Sequence, residues 1–345
     1  MGKCDIIIPV WNEPESTKKC IDRLKACTRY PYSLIVIDNG SNGPTRRYLE
    51  SLKNLFSEFF LIRNDTNLGF VKAVNQGMKV SQSPYLCLLN NDAYVTDNWL
   101  TFLVETLESC PDNAGLASPT SNDFNRTSPD GARGEWQELD SCKGFCMLIK
   151  KEVITKLGFF DEIFEIGYFE EKDFSRRAVE AGYKCIRAKS SFVEHIDRLS
   201  FDRLPHRNDI FKKNEKTYNK RWGRAINVAS VATNAHAHKK RSAIITELLR
   251  KGDRVTVFYA SAFPELRFKD HIQMKLIPTG WPFFIYNVLF KIWERRNKKK
   301  IDIILTDDEK AQRFFQKMHF VHGSEILSVY DDRVLDICET KRKEC

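Results

Sequence analysis

What this sequence lacks narrows its chemistry first. Its 345 residues hold no run of the roughly 18 to 20 apolar residues that a membrane-spanning helix needs. The opening MGKCDIIIPVWNEP is expected to carry no signal peptide, because its apolar run, Ile6 to Trp11, is short and holds Pro9. Ten cysteines are too sparse for a disulfide scaffold. Cys20, Cys87 and Cys185 fall in apolar strand-like or helix-like patterns, so they are expected to be reduced core residues of a cytosolic protein. Cys142 and Cys146 find no second Cys/His pair at zinc-ligand spacing. Neither G-x-G-x-x-G nor G-x-x-x-x-G-K-[ST] occurs, which argues against a dinucleotide oxidoreductase or a P-loop NTPase. No zinc-finger, RNP-like or helix-turn-helix signature is found, so nucleic acid is not an expected partner. Low-complexity tracts and short-period repeats are absent as well.

What is present is core-forming. Apolar residues make up 42% of the chain, with 24 Phe, enough to bury a sizeable core over about two domains. The 55 basic residues outnumber the 46 acidic ones, a formal +9. That excess suits an anionic partner such as nucleotide phosphates or acidic lipid headgroups, without choosing between them.

From Asp5 to about Ile196, short apolar runs alternate with amphipathic helices. Strands are expected over 5–10, 33–38, 59–63 and 85–89, and helices from Pro14, from Pro44 and over 69–80. Strands apolar at every position argue for a mostly parallel sheet covered on both faces. A second pattern follows: a strand over 144–150, helices over 151–157 and 170–181, and two short strands over 183–187 and 192–195. Residues 118–138 read as a long loop, a candidate lid. A charged bridge over 197–225 holds one helix from Asn208 to Trp222. Residues 226–345 then read as a smaller Rossmann-like α/β domain, with strands over 226–232, 254–260 and 301–306 and helices over 238–251 and 308–318.

In open parallel sheets, ligands gather at the carboxyl ends of strands. The first strand ends at Trp11-Asn12-Glu13, the second at Asp38-Asn39-Gly40-Ser41, the fourth at Asn90-Asn91-Asp92. An Asp or Asn after a single strand is usually a turn residue or a helix cap. Three strand ends of one sheet delivering carboxylates and amides to one rim are harder to dismiss.

These residues carry a resemblance. In order, IIIPVWNEP, LIVIDNGSNG, NDTNLGFVKAVNQGM, YLCLLNNDAYV, GFCMLIKKEVITKLGFFDEIF, FEEKDFSRRAVEAGYK and FVEHI make residues 4–196 resemble the family 2 glycosyltransferases of GT-A fold, especially their rhamnosyl- and galactofuranosyl-transferase-like branch. The resemblance implies a metal-dependent inverting transferase acting on a nucleotide-sugar donor, UDP or dTDP by family habit, and a glycan or lipid-linked acceptor, a growing bacterial surface glycan by default. It implies nucleotide-sugar contacts from Pro9, Trp11, Glu13, Asp38, Gly69, Lys72, Asn90 and Asn91. Gly69 would admit close backbone approach to the nucleotide at a helix N-terminus. Asn90-Asn91-Asp92 occupies the place of the family's Asp-x-Asp motif, so Asp92 would ligate Mn²⁺ or Mg²⁺ with His195 completing the shell. Asn90 replaces the usual first acid and removes one negative charge. Glu170-Glu171-Lys172-Asp173 matches the Glu-Asp-x-Asp segment, making Glu171 the general base, Glu170 the runner-up and Asp173 an acceptor contact or loop brace. Trp136 would stack on an acceptor sugar, or be a core contact. A catalytically degenerate nucleotide-sugar-binding scaffold is the alternative reading.

Residues 226 to about 318 weakly resemble the N-terminal half of GT-B glycosyltransferases, too short to hold two nucleotide-binding halves. His236 and His238 stand two apart but are expected to bind no metal. The stretch from Trp281 to Lys300 joins aromatics to a basic end. It reads either as a buried helix with a cationic last turn or as a helix on an anionic membrane surface.

Overall fold

The computed structural model describes residues 2–111, 113–196, 206–233, 237–260, 271–279, 284–295 and 300–344. Two compact units divide the chain, Met1–Lys216 and Thr217–Cys345.

In the first unit, nine strands form one sheet: β1 (Cys4–Val10), β2 (Tyr32–Asn39), β3 (Phe59–Asn64), β4 (Tyr85–Leu89), β5 (Ala93–Val95), β6 (Ala114–Thr120), β7 (Trp136–Leu139), β8 (Cys146–Lys150) and β9 (Lys184–His195). Their order is β3-β2-β1-β4-β8-β6-β9-β5, with β7 also on β9. Six of the nine run in one direction; β5, β7 and β8 run against it. β1, β2 and β4 are buried along almost their whole length, which is why they read as unbroken apolar runs. Helices Pro14–Cys27 and Phe70–Val80 each turn a buried stripe toward the sheet. Gly77 lets the second lie close, since a Cβ there would stand 2.4 Å from Ile7 Cγ2. The nine cysteines described are buried and free.

Three expectations change here. First, β8 enters antiparallel between β4 and β6, so its start, not its end, lies at the rim where β4 ends: Leu89 pairs with Cys146 and the Asn90 N–H donates to Phe145 O at 2.8 Å. Second, the two short strands expected over 183–195 are one strand, β9, because the chain stays extended through a register irregularity opposite Pro119 and Thr120. Third, the expected lid over 118–138 is tied down. β6 and β7 claim its ends, and the Arg187 guanidinium donates to both carboxylate oxygens of Asp130 at 2.7 and 3.0 Å.

Five parallel strands form the sheet of the second unit: β10 (Asn227–Ala232), β11 (Arg254–Ala260), β12 (Met274–Thr279), β13 (Ile303–Thr306) and β14 (Glu325–Ser328), ordered β12-β11-β10-β13-β14. This is a doubly wound arrangement. One apolar layer holds Ile245 and Leu248 of helix His238–Arg250 with Cys338 of helix Val334–Lys343. The other holds Val288 and Ile292 of helix Phe284–Arg295 with Phe315 of helix Glu309–Lys317. Two ion pairs are fully or almost fully buried inside, Arg241 with Asp307 and Arg342 with Asp253. His236, and residues 281–283 and 296–299 of the aromatic–basic stretch, lie outside the described residues.

Candidate active site

The carboxyl ends of β1, β2, β4, β6 and β9, together with the start of β8, meet at one rim of the first unit. Two adjoining clefts open there.

The first is lined by Pro9 and Trp11 after β1, Asn39 at the end of β2, Gly69 and Phe70 at the start of helix Phe70–Val80, and Asn90–Asp92 after β4. Asn39, which the sequence reading passed over beside Asp38, shapes this cleft. Its amide donates to Asn67 Oδ1 at 2.8 Å and Gly69 O at 3.2 Å and accepts the Leu68 N–H at 3.0 Å. Gly69 has φ +87°, and a Cβ there would press on Glu165 O at 3.0 Å and Ile166 Cα at 3.2 Å, so no other residue fits the turn.

Other expected nucleotide contacts sit differently. Asp38 is buried, with one oxygen accepting the Ser41 N–H at 2.8 Å and the other paired with Arg63; it lies behind Asn39 and does not line the cleft. Glu13, in a left-handed conformation at φ 57°, caps helix Pro14–Cys27 and accepts the Thr17 N–H on its carbonyl. Lys72 is exposed on helix Phe70–Val80 and lines neither cleft. Asn91 lines the first cleft but turns its amide to Thr17 Oγ1 at 2.9 Å.

The second cleft, about 480 Å³, shares Phe70, Asn90 and Asp92 with the first and adds Glu170, Glu171 and His195. Glu170 opens helix Glu170–Glu180 and is buried, with Oε2 accepting no hydrogen bond among the described residues. Burial first, then the charge of Glu171, pushes its carboxyl well above the usual carboxylate range. Glu171 faces Gly144, whose missing side chain leaves the carboxylate room: a Cβ there would lie 3.5 Å from Glu171 Cβ.

His195 is held on every side. Its backbone exchanges two hydrogen bonds with the Asn122 side chain, at 2.7 and 2.8 Å. Its ring stacks on Phe145 with centroids 4.4 Å apart. Nδ1 lies 3.1 Å from Asp123 Oδ2, and Nε2 lies 3.5 Å from Asp92 Oδ1. Burial works against the imidazolium, but Asp123 and Asp92 outweigh it and raise His195 to about 9. Asp123 was not anticipated from the sequence; only the return of β6 alongside β9 brings it here.

A divalent cation fits this corner in one particular way. Asp92 Oδ1 is buried without a hydrogen-bond partner among the described residues, and His195 Nε2 faces it. A carboxylate bracing the far nitrogen of a histidine is the usual support for a histidine ligand. No cluster of three or more His, Cys, Asp or Glu that could cage a metal occurs among the described residues. Asp92 and His195 therefore suit a cation shared with substrate oxygens rather than one enclosed by protein.

For Asp173 and Trp136 the geometry agrees with the structural one of the two alternatives that the sequence left open. Asp173 is fully buried and accepts from Arg177 Nε at 2.9 Å, while the same guanidinium donates to Leu157 O and Phe159 O; it braces the fold below the cleft. Trp136 lies on β7 packed against the main core with Lys184 over its ring, outside the cleft lining.

The wall opposite the strand ends comes from residues read only as a bridge. Helix Arg207–Trp222 lends Arg207, Asn208 and Phe211 to the second cleft. Further along it, Asn214 is buried and its amide donates to Phe164 O at 2.9 Å, Gly167 O at 2.7 Å and Tyr168 O at 3.3 Å. That loop holds Glu165, Tyr168 and Phe169 at positive φ, a conformation costly for non-glycine residues, immediately before Glu170. Asn214 thus fixes the loop that delivers the two glutamates.

Comparison with known proteins agrees with this architecture. Residues 5–158 match the family model described as Glycosyl transferase family 2. The chain is 24% identical to glycosyltransferase AglE of Haloferax volcanii, over 52% of this chain and 62% of the relative. It is 26% identical to the poly(ribitol-phosphate) beta-glucosyltransferase of Bacillus spizizenii, over 37% of this chain and 22% of the relative. The chain therefore spans under two thirds of either relative's length. The fold also matches a solved structure of GalNAc-T7 with UDP, GalNAc and Mn²⁺, at TM-score 0.51 and 16% identity, over 64% of this chain and 50% of that one. Residues 5–158 are therefore similar to a glycosyl transferase family 2 domain, set in a unit of GT-A fold.

Proposed function

We propose that the first unit transfers a sugar from a nucleotide-diphosphate sugar to an acceptor hydroxyl by a single in-line displacement that inverts the anomeric centre. One observation carries the reading: the unpartnered oxygen of Asp92 and the carboxylate of Glu171 border the same cavity, which is continuous with the glycine-floored cleft beneath helix Phe70–Val80. The nucleotide lies in the first cleft against Trp11, Asn39 and Gly69. Asp38, paired with Arg63 and accepting the Ser41 N–H, holds the end of β2 next to Asn39 in place. Asp92 and His195 hold the cation, which when bound neutralises charge on the departing diphosphate. Glu171 takes the proton of the acceptor hydroxyl. Glu170, whose carboxyl burial and the charge of Glu171 hold well above the usual carboxylate range, lines the same cleft beside it.

The motif order supports a rhamnosyl- or galactofuranosyl-type donor on UDP or dTDP. The polymer-acting relative, a poly(ribitol-phosphate) glucosyltransferase, supports a surface-glycan or polyol acceptor. We read the second unit as an accessory module rather than half of a GT-B enzyme.

Incubating the chain with UDP- and dTDP-sugars in the presence of Mn²⁺ tests this. The expected result is metal-stimulated release of nucleoside diphosphate that Asp92→Ala abolishes. Donor binding without turnover on any donor or acceptor would instead establish the scaffold reading, for which the loss of an acid at Asn90 is the motive.

A further inference from the structure

Helix Phe284–Arg295 carries two apolar faces. Phe284, Val288, Leu289 and Ile292 are buried in the second unit's core. Tyr286, Phe290 and Trp293, spaced four and three residues apart and so on one face, are 63%, 57% and 42% exposed. Beside it packs the short helix His319–His322, whose Phe320 is 81% exposed. A helix of 12 residues with one side in the core cannot span a bilayer, and none of the described helices is long and apolar enough to do so.

Charge singles out what this face would meet. The second unit has 25 Lys and Arg against 15 Asp and Glu, a formal +10, whereas the first has 30 against 31, a formal −1. The whole basic excess of the chain therefore belongs to the unit bearing the aromatic stripe. Residues 291–300, KIWERRNKKK, supply six of those bases against Glu294. Two copies of so cationic a unit would repel each other face to face. Rings with one polar edge beside lysine and arginine are the composition that settles at the boundary of headgroups and acyl chains.

We propose that the aromatic face of helix Phe284–Arg295 docks the chain onto an anionic phospholipid bilayer. The rings of Phe290, Trp293 and Phe320 enter the interface while Lys291 meets lipid phosphates. This goes beyond the transferase reading and stands on the other unit.

Cosedimentation of the whole chain with vesicles, phosphatidylcholine alone or with about one third phosphatidylglycerol, tests it. Binding to the anionic vesicles is expected to be at least about tenfold tighter than to the neutral ones, and to weaken in about 0.5 M NaCl. The double variant Phe290→Ser/Phe320→Ser should lower it at least about tenfold again, with an unchanged melting temperature because both rings are exposed. Lys291→Glu, which leaves every ring in place, should lower it several-fold. Equal binding to neutral vesicles, no binding, or unaltered binding by both variants would overturn the proposal. So would self-association without lipid that the ring variants abolish, which would make the face a protein interface.

Discussion

The two units build α/β sheets from the same vocabulary and put charge to opposite uses. The first runs to near neutrality, 30 bases against 31 acids, and concentrates carboxylates where strands of opposite direction meet at one rim. The second, wholly parallel, carries the surplus of positive charge. Net charge over the whole chain suggested an anionic partner and listed nucleotide phosphates among the choices. Its location separates the two. The first cleft lies in the unit with no surplus and is lined by Gly69, Asn39 and the Asn90–Asp92 turn; the surplus lies where exposed aromatics are.

That contrast can be broken, most forcefully at the base. Glu171→Gln should cut transfer by about 10²–10⁴-fold in steady-state assays while leaving vesicle binding as it was; retained turnover would place the base elsewhere. Next in size, Asp307→Ala in the second unit strands the fully buried Arg241 guanidinium. It should destabilise that unit by about 3–5 kcal/mol, seen by calorimetry as one transition falling while the other stays. A single shared shift would mean that the units melt together. In the first unit, Asn214→Leu removes three donated hydrogen bonds, at about 1 kcal/mol each. Turnover should fall about tenfold or more and donor KM should rise as well, because this loop leads into Glu170 and also carries Ile166, which lines the first cleft.

The smallest effect is one of pH. Burial alone would raise Asp130, but Arg187 and Arg126 overcome it and hold the carboxyl at about 2, below its ordinary 3.8. A depressed acid stabilises the fold fully above its unfolded value and loses that contribution as pH falls through its folded value. The first unit should therefore lose a modest, solvent-screened part of its stability between about pH 4 and pH 2 from this group, and Asp130→Asn should flatten that part of the acid melting curve.

The sequence made the left half of the large sheet legible because β1, β2 and β4 bury both faces and read as solid apolar runs. β6, AGLASPT, is equally buried, yet its small and polar residues and its proline read as loop. Gly69, Asp92, Glu171 and His195 could be picked out because each follows a strand or opens a helix within a recognisable motif. Asp123 and Asn214 could not. Asp123 is made relevant by a strand pairing between residues some seventy positions apart, and Asn214 sits in a charged stretch whose pattern resembles any solvated helix. Asp173 and Trp136 stayed ambiguous for the opposite reason: a carboxylate beside other acids and a tryptophan after glycines look alike in sequence whether they face a cleft or the core.

Asn214 also fixes how short an intact first unit could be made. Trimming the gene after residue 196, where the last strand of the large sheet is complete, would spare every strand-end residue of the rim and still remove this amide. The carbonyls of Phe164, Gly167 and Tyr168 would lose the Asn214 amide, and the left-handed turn before the glutamates would be free to relax. The smallest piece that keeps this rim braced thus reaches through Asn214 of helix Arg207–Trp222.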